Sequence, residues 1–109
     1  MNVSDMAAKC GFEIVAGEEA LTRDITGVYC CDLLSFAMGR APEGCAWITV
    51  MGNMKSVAVA SLADVACIVL CDGVKPDTEM MKKAVQEDIA VLRSALPAFE
   101  TGKMIADTF

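Results

Sequence analysis

Two uncharged runs of strand length, residues 45–51 and 66–71, dominate the hydrophobic pattern of this chain, and around them the spacing of apolar residues turns helical. Continuous rather than alternating apolarity predicts strands covered on both faces, as in parallel sheets. Between the runs, Asn53 is placed to cap a helix through about Leu62, whose small residues Ala58, Ala60 and Ala63 allow close approach to a sheet. After the second run, the turn 72–76 leads to Asp77, the expected cap of a charged amphipathic helix reaching about Glu87. Residues 89–92 supply a last short strand. Ser94 is expected to open a terminal helix, with Pro97 tolerated in its first turn and Phe99, Ile105 and Phe109 as its apolar side.

The first forty residues read in the same way. Ser4 is the expected cap of a short helix carrying Met6, Ala7, Ala8 and Cys10, stopped by Gly11. Residues 12–16 form a short strand, Gly17, Glu18 and Glu19 a polar connection, and residues 24–31 a second strand marked by Ile25, Val28 and Tyr29. Asp32 is expected to cap a helix with Leu33, Leu34, Phe36, Ala37 and Met38, ended by Gly39 and Pro42. Strands alternating with helices through short connections predict one α/β domain over residues 1–109. Its architecture is a layered α/β/α with a mainly parallel sheet of about four to five short strands and right-handed crossovers.

Composition narrows what such a domain does. A length of 109 residues leaves room for one core, and 55% hydrophobic against 22% charged residues predicts compact folding. That apolar surplus also predicts a self-associating face and a homodimer. A net charge of -6 repels phosphate backbones and anionic lipid heads, so neither nucleic acid nor a membrane surface is an expected partner. Residues 44–63 carry Lys55 as their one charge and are long enough to span a bilayer, but Gly52, Asn53, Lys55 and Ser56 divide them into two elements. The first nine residues are polar and mildly charged, unlike a secretion leader, and most of the six cysteines sit in apolar runs. A reducing cytoplasm is therefore expected.

The chain has no histidine, which removes Ser-His and Cys-His relays, imidazole metal ligands and the usual near-neutral base. Cys67 and Cys71 share a strand face but stand about 13 Å apart along it, too far for one tetrahedral metal. Cys30 and Cys31 are adjacent and point to opposite faces, so core packing is the expected role of the thiols, with Cys31 the residue of interest as a redox sensor. Cys31 or Ser35 as a nucleophile lacks an identifiable base. Asp24, Asp32 and Asp64 are separated by element boundaries, and no metal, cofactor or catalytic residue is expected.

The chemistry that remains is anion binding. Where the strand of residues 45–51 ends, Thr49, Gly52, Asn53, Lys55 and Ser56 lead into a helix N-terminus, whose free amides and partial positive charge attract phosphates and carboxylates. The complete glycine-rich frame of a nucleoside triphosphatase loop is absent, so ATP hydrolysis is not expected. Asp72 and Gly73 follow the next strand, and ligands of open parallel sheets collect outside the carboxyl ends of neighbouring strands. These seven residues form the candidate ligand site. Their alternative role is structural, with Asn53 a helix cap and Asp72 a turn residue bonded to its own backbone.

Residues 22–35, Thr-Arg-Asp-Ile-Thr-Gly-Val-Tyr-Cys-Cys-Asp-Leu-Leu-Ser, together with residues 63–70 and Gly73, Pro76 and Asp77, resemble the signature regions of the DRTGG domain family. The signature residues are Thr26, Gly27, Asp32 and Asp64, and Val28 stands where the family's name has a second glycine. The resemblance extends over roughly residues 3–105. It implies a fold similar to the N-terminal domain of HPr kinase/phosphorylase and, more distantly, to the uridine-nucleotide-binding N-terminal domain of Mur ligases. Such domains also stand beside CBS domains in regulated pyrophosphatases and in phosphotransacetylases, where other domains carry the reaction. The expected function is a non-catalytic regulatory or scaffolding module, often dimeric, acting on a metabolic enzyme or regulatory protein. The alternative is a sensor that binds a nucleotide or anionic metabolite at the carboxyl ends of the strands, close to where the Mur-like comparison places a nucleotide.

Overall fold

The two uncharged runs become the middle of a five-stranded sheet, because neither offers a polar side to water. The computed structural model describes residues 1–109. In chain order the elements are α1 (Val3–Cys10), β1 (Glu13–Ala16), a 3-10 turn (Glu18–Ala20), β2 (Gly27–Cys30), α2 (Leu34–Arg40), β3 (Cys45–Thr49), α3 (Met54–Ala63), β4 (Cys67–Leu70), α4 (Thr78–Gln86), β5 (Ala90–Arg93) and α5 (Ala98–Ala106). Every residue of β3 and β4 is buried.

The strand order is β1-β5-β4-β3-β2, with β2 to β5 parallel and β1 antiparallel to β5. Each crossover from β2 to β5 moves one strand over, and crossovers of a single hand lay α2, α3 and α4 on one face. There Trp47, Ile68, Leu70 and Val91 meet Ala37, Val57, Ala60, Met80 and Ala84. On the other face Ile48, Val69, Cys67 and Leu92 meet Val3, Met6 and Ala7 of α1 and Ile105 of α5. Gly102 lets α5 settle on the sheet: a Cβ there would stand 3.3 Å from Ile48 Cδ1 and 3.5 Å from Cys30 Sγ. No helix is long and apolar enough to cross a membrane.

Four local expectations change. The first helix starts at Val3 with Asn2 as its cap, whose side chain accepts from the Asp5 amide at 2.8 Å, so Ser4 lies inside the first turn. Residues 24–26 belong to no sheet ladder, because Ile25 N–H donates to Met1 and Val3 N–H to the Arg23 carbonyl; β2 therefore begins at Gly27. Asp32 does not cap α2, where Leu33 occupies the cap position without a side-chain bond. Ser94 does not start α5 either: it is buried against the Thr101 hydroxyl at 2.8 Å, and Pro97 precedes the helix. Of the three expected apolar anchors of α5, Ile105 is buried while Phe99 and Phe109 are 72% and 61% exposed.

Arg23 secures the amino ends of the strands. Its guanidinium donates to the carbonyls of Val65 at 3.0 Å and Asp64 at 2.7 Å, and pairs with the Asp64 carboxylate at 2.9 Å. Asp64 itself ends α3 in the left-handed conformation, φ 58°. The hydrogen bond from Arg23 holds its carboxyl below the usual carboxylate value. A folded value below the unfolded one means that this pair stabilises fully above the ordinary carboxylate range and loses its effect as pH falls through the folded value. Asp64→Asn, which retains tolerance of that backbone, should flatten the fall of melting temperature between about pH 5 and pH 2. Matched thermal melts across that window check it.

Gly17 leads β1 into the 3-10 turn at φ 74°, with its α-carbon pressed against the start of β5 so that a Cβ would overlap the Ile89 carbonyl. Gly17→Ala should therefore cost about 3 kcal/mol or more of stability, from the left-handed backbone and the overlap together. Urea unfolding read by Trp47 fluorescence measures it.

Candidate functional site

At the carboxyl ends of the parallel strands each loop is tied to the next. Asp32, just past β2, accepts through one carboxylate oxygen from the Thr49 hydroxyl and the Val50 amide, both at 2.9 Å. The loop after β3 is fixed to the loop after β4 by the Asp77 amide, which donates to Gly52 at 3.1 Å. The loop after β4 is fixed in turn to the loop after β5, with Asp72 N–H donating to Leu96 at 2.8 Å and Gly73 N–H to Ser94 at 2.9 Å. Arg93, the last residue of β5, ties the loop after β4 to β1: Nε donates to Val74 at 3.0 Å, one terminal nitrogen to Gly73 at 2.7 Å, and the other pairs with Glu13 at 2.8 Å.

The candidate residues fall into two groups within this arrangement. Thr49 and Ser56 are buried and bonded internally, Thr49 to Asp32 and the Met51 amide, Ser56 to the Met51 carbonyl at 2.6 Å. Their hydroxyls shape the loop. Asn53 caps α3 by accepting from the Lys55 amide at 3.0 Å, while the Lys55 side chain extends into solvent. Gly52 approaches the other loop closely, since a Cβ there would stand 3.0 Å from the Lys75 carbonyl and 3.1 Å from Val74. Because β3 and β4 are neighbours, Gly52 and Asn53 and the Asp72-Gly73 turn share one end of the sheet. Asp72 is exposed at φ 57°, and Gly73 borders a hollow of about 200 Å³ with Glu13, Arg93 and Ser94.

The signature residues divide between the two ends of the sheet. Thr26 donates its hydroxyl to the Glu43 carbonyl at 2.8 Å and packs on Gly44, next to the Arg23 and Asp64 pair at the amino end. Gly27 opens β2 with open space where a Cβ would stand. Asp32 is the signature residue at the carboxyl end, and its role as a strut between loops differs from the helix cap its position suggests. Arg93 escapes a sequence reading because its partners lie 19, 20 and 80 residues away; the available signal is a lone cation ending an apolar strand.

Cys45, Cys67 and Cys71 are buried packing groups in chemical terms as well. Burial pushes Cys45 and Cys71 up to about 11 and Cys67 higher still, so these remain protonated at neutral pH. Cys31 is half-buried, its thiol 3.5 Å from the Leu33 carbonyl, and Cys30 is the more exposed of the adjacent pair. No three Cys, Asp or Glu side chains converge as a metal site would require.

Comparison with known proteins places this architecture. No curated protein sequence matches the chain. Among solved structures it is similar to the CBS and DRTGG domains of the regulatory region of Clostridium perfringens pyrophosphatase, which was crystallised with its activator, diadenosine tetraphosphate. The TM-score is 0.77 at 15% identity, over 99% of this chain and 47% of that one, so the likeness is one of fold and spans about half of the longer protein. The model of the DRTGG domain matches residues 5–108, from the first turn of α1 to the end of α5 and beyond. With the Arg23 to Asp64 pair, the Thr26 contact and the five-stranded sheet all inside that span, the chain belongs to the DRTGG domain family.

Proposed function

We propose that this domain is a non-catalytic regulatory module that self-associates through the open edge of β2 and acts on a metabolic partner protein. The observation that carries the reading is the unguarded state of that edge. Sheets protect free edges with charges, proline or bulges. The other edge, β1, has a bulge between Ile14 and Ala16 and begins with Glu13. By contrast β2, Gly-Val-Tyr-Cys, has neither charge nor bulge and pairs only with β3.

Apolar side chains flank this edge on both faces. On one side Leu33 and Phe36 are 55% and 47% exposed, with the Arg40 guanidinium 4.4 Å from the Phe36 ring centre. That flank adjoins Tyr29 of β2: burial raises the Tyr29 phenol, and the Arg40 charge works against the rise. On the other side Ala98 and Gly102 lie against Cys30, which puts Phe99, one turn before Gly102, beside the same edge. Antiparallel pairing of two β2 strands about a twofold axis buries both flanks at once, the self-complementary arrangement of a symmetric dimer. The undisulfided thiols are in keeping with a reducing cytoplasm as the place of action.

Light scattering after gel filtration tests this at tens of micromolar protein. The native chain should elute as a dimer, and Phe36→Glu with Phe99→Glu should weaken association at least about tenfold, or roughly 1.4 kcal/mol, without lowering helix content. A native monomer rejects the reading.

A second reading has its own support. The Clostridium perfringens regulatory region is complexed with a nucleotide activator, and here Gly52, Asn53, Lys55, Asp72 and Gly73 share the carboxyl end of the sheet. A sensor of nucleotides or anionic metabolites at that end predicts ligand-dependent melting. A saturating nucleotide at a hundred times its dissociation constant should stabilise by about 2.7 kcal/mol. Melts against adenine, guanine and uridine nucleotides, diadenosine tetraphosphate and phosphate decide it, with Lys55→Glu expected to abolish the shift.

A further inference from the structure

The edge opposite β2 carries a hollow of a different kind. On the face covered by α2, α3 and α4 the outermost helix α4 stops short of β1, leaving two adjoining hollows of about 310 Å³ each that share Val15 and Met81. Each is at the small end of the ligand-site range, roughly 300–1,000 Å³, and together they make a groove along the strand. Val15 is the extra residue of the β1 bulge: Ile14 pairs with Leu92 and Ala16 with Val91, and Val15 has no partner across the ladder. The bulge turns Val15 and Ala16 to the same face, where both pack on the core that α4 covers. Val85 of α4 borders the first hollow and is 62% exposed.

The charges around this floor are unequal. Glu18 and Glu19, exposed in the 3-10 turn, border the first hollow and form no ion pair, while the second is bordered by the mutually paired Glu13 and Arg93 and by Lys75. Gly17 fixes the turn that holds the two glutamates there. An apolar floor with two unpaired carboxylates at one end complements an apolar side chain flanked by cations. Another copy of this chain, with a net charge of -6, is a poor source of them.

We infer that the groove between β1 and α4 docks an extended segment of a partner protein, one that places an apolar side chain on Val15, Met81 and Val85 and a lysine or arginine against Glu18 and Glu19. The inference deepens the partner half of the proposed regulatory role and rests on that reading for its purpose. The binding surface itself is independent of the β2 edge.

Selection from a library of random displayed heptapeptides tests it, with the full chain as bait and one enriched peptide, fluorescein-labelled, followed by anisotropy. Enriched peptides should combine Lys or Arg with Leu, Met or Phe, and their affinity should fall as salt rises. Val85→Asp should weaken the labelled peptide at least about tenfold. Glu18→Lys with Glu19→Lys should weaken it similarly and shift a repeated selection toward acidic peptides. All three substitutions are at exposed positions, so an unchanged melting temperature separates lost binding from lost folding. No enrichment, enrichment without cations, or equal affinity for the native and Val85→Asp chains overturns the inference. Dissociation of the native dimer by Val85→Asp also overturns it, because the groove would then be the self-association face. Light scattering on the same samples reports the β2 edge separately, so a monomer that still binds the peptide leaves the groove standing.

Discussion

Everything in this fold follows from having to cover β3 and β4 on both faces. Their side chains include no charge and are fully buried, so a layer of helices on one side alone leaves half of them wet. Three crossover helices cover one face because consecutive parallel strands need consecutive crossovers. The other face has to be closed from the chain's two ends, by α1 and α5. This is why Val3 and Ile105, near opposite ends of the sequence, enter one cluster.

How far the sequence reveals such a molecule depends on whether the signal is local. Asn53 and Asp77 cap their helices as read, since a cap bonds an amide two or three residues away. The uncharged runs mark β3 and β4, and the alternation of strand and helix gives the parallel order. Ser4, Asp32 and Ser94 also have cap-forming side chains, yet their surroundings differ. The bridge between the chain start and residues 23–25, the Val50 amide and the buried Thr101 hydroxyl are all brought up by tertiary folding. The antiparallel return of β1 is illegible for the same reason, as nothing in residues 12–16 points to a partner eighty positions later.

The same distinction governs the candidate residues. Strand adjacency placed Gly52 and the Asp72-Gly73 turn at one end of the sheet, and the signature residues fall within the matched family region. What one-dimensional reading misses is how thoroughly the polar groups there serve each other. No buried side-chain nitrogen or oxygen lacks a partner. Asp32, Thr49, Ser56 and Arg93 are all bonded within one polar shelf, on which Asp32, Lys55 and Asp72 are exposed. A free loop amide or an idle guanidinium would have left a different surface, one far more attractive to anions.

The pairing of β1 with β5 sets an order of events in folding. The ladder from Glu13 to Arg93 closes a loop of eighty residues, whereas β2 to β5 grow by short, sequential crossovers. Loop-closure entropy makes the long closure the slow contact, and it can form only after β5 offers its edge. The parallel unit needs no such closure, and β1 pairs with an edge that β5 has to supply. In reverse, β1 is the strand that can detach while β2, β3 and β4 keep their ladders, so amide exchange should enter the native state from that side.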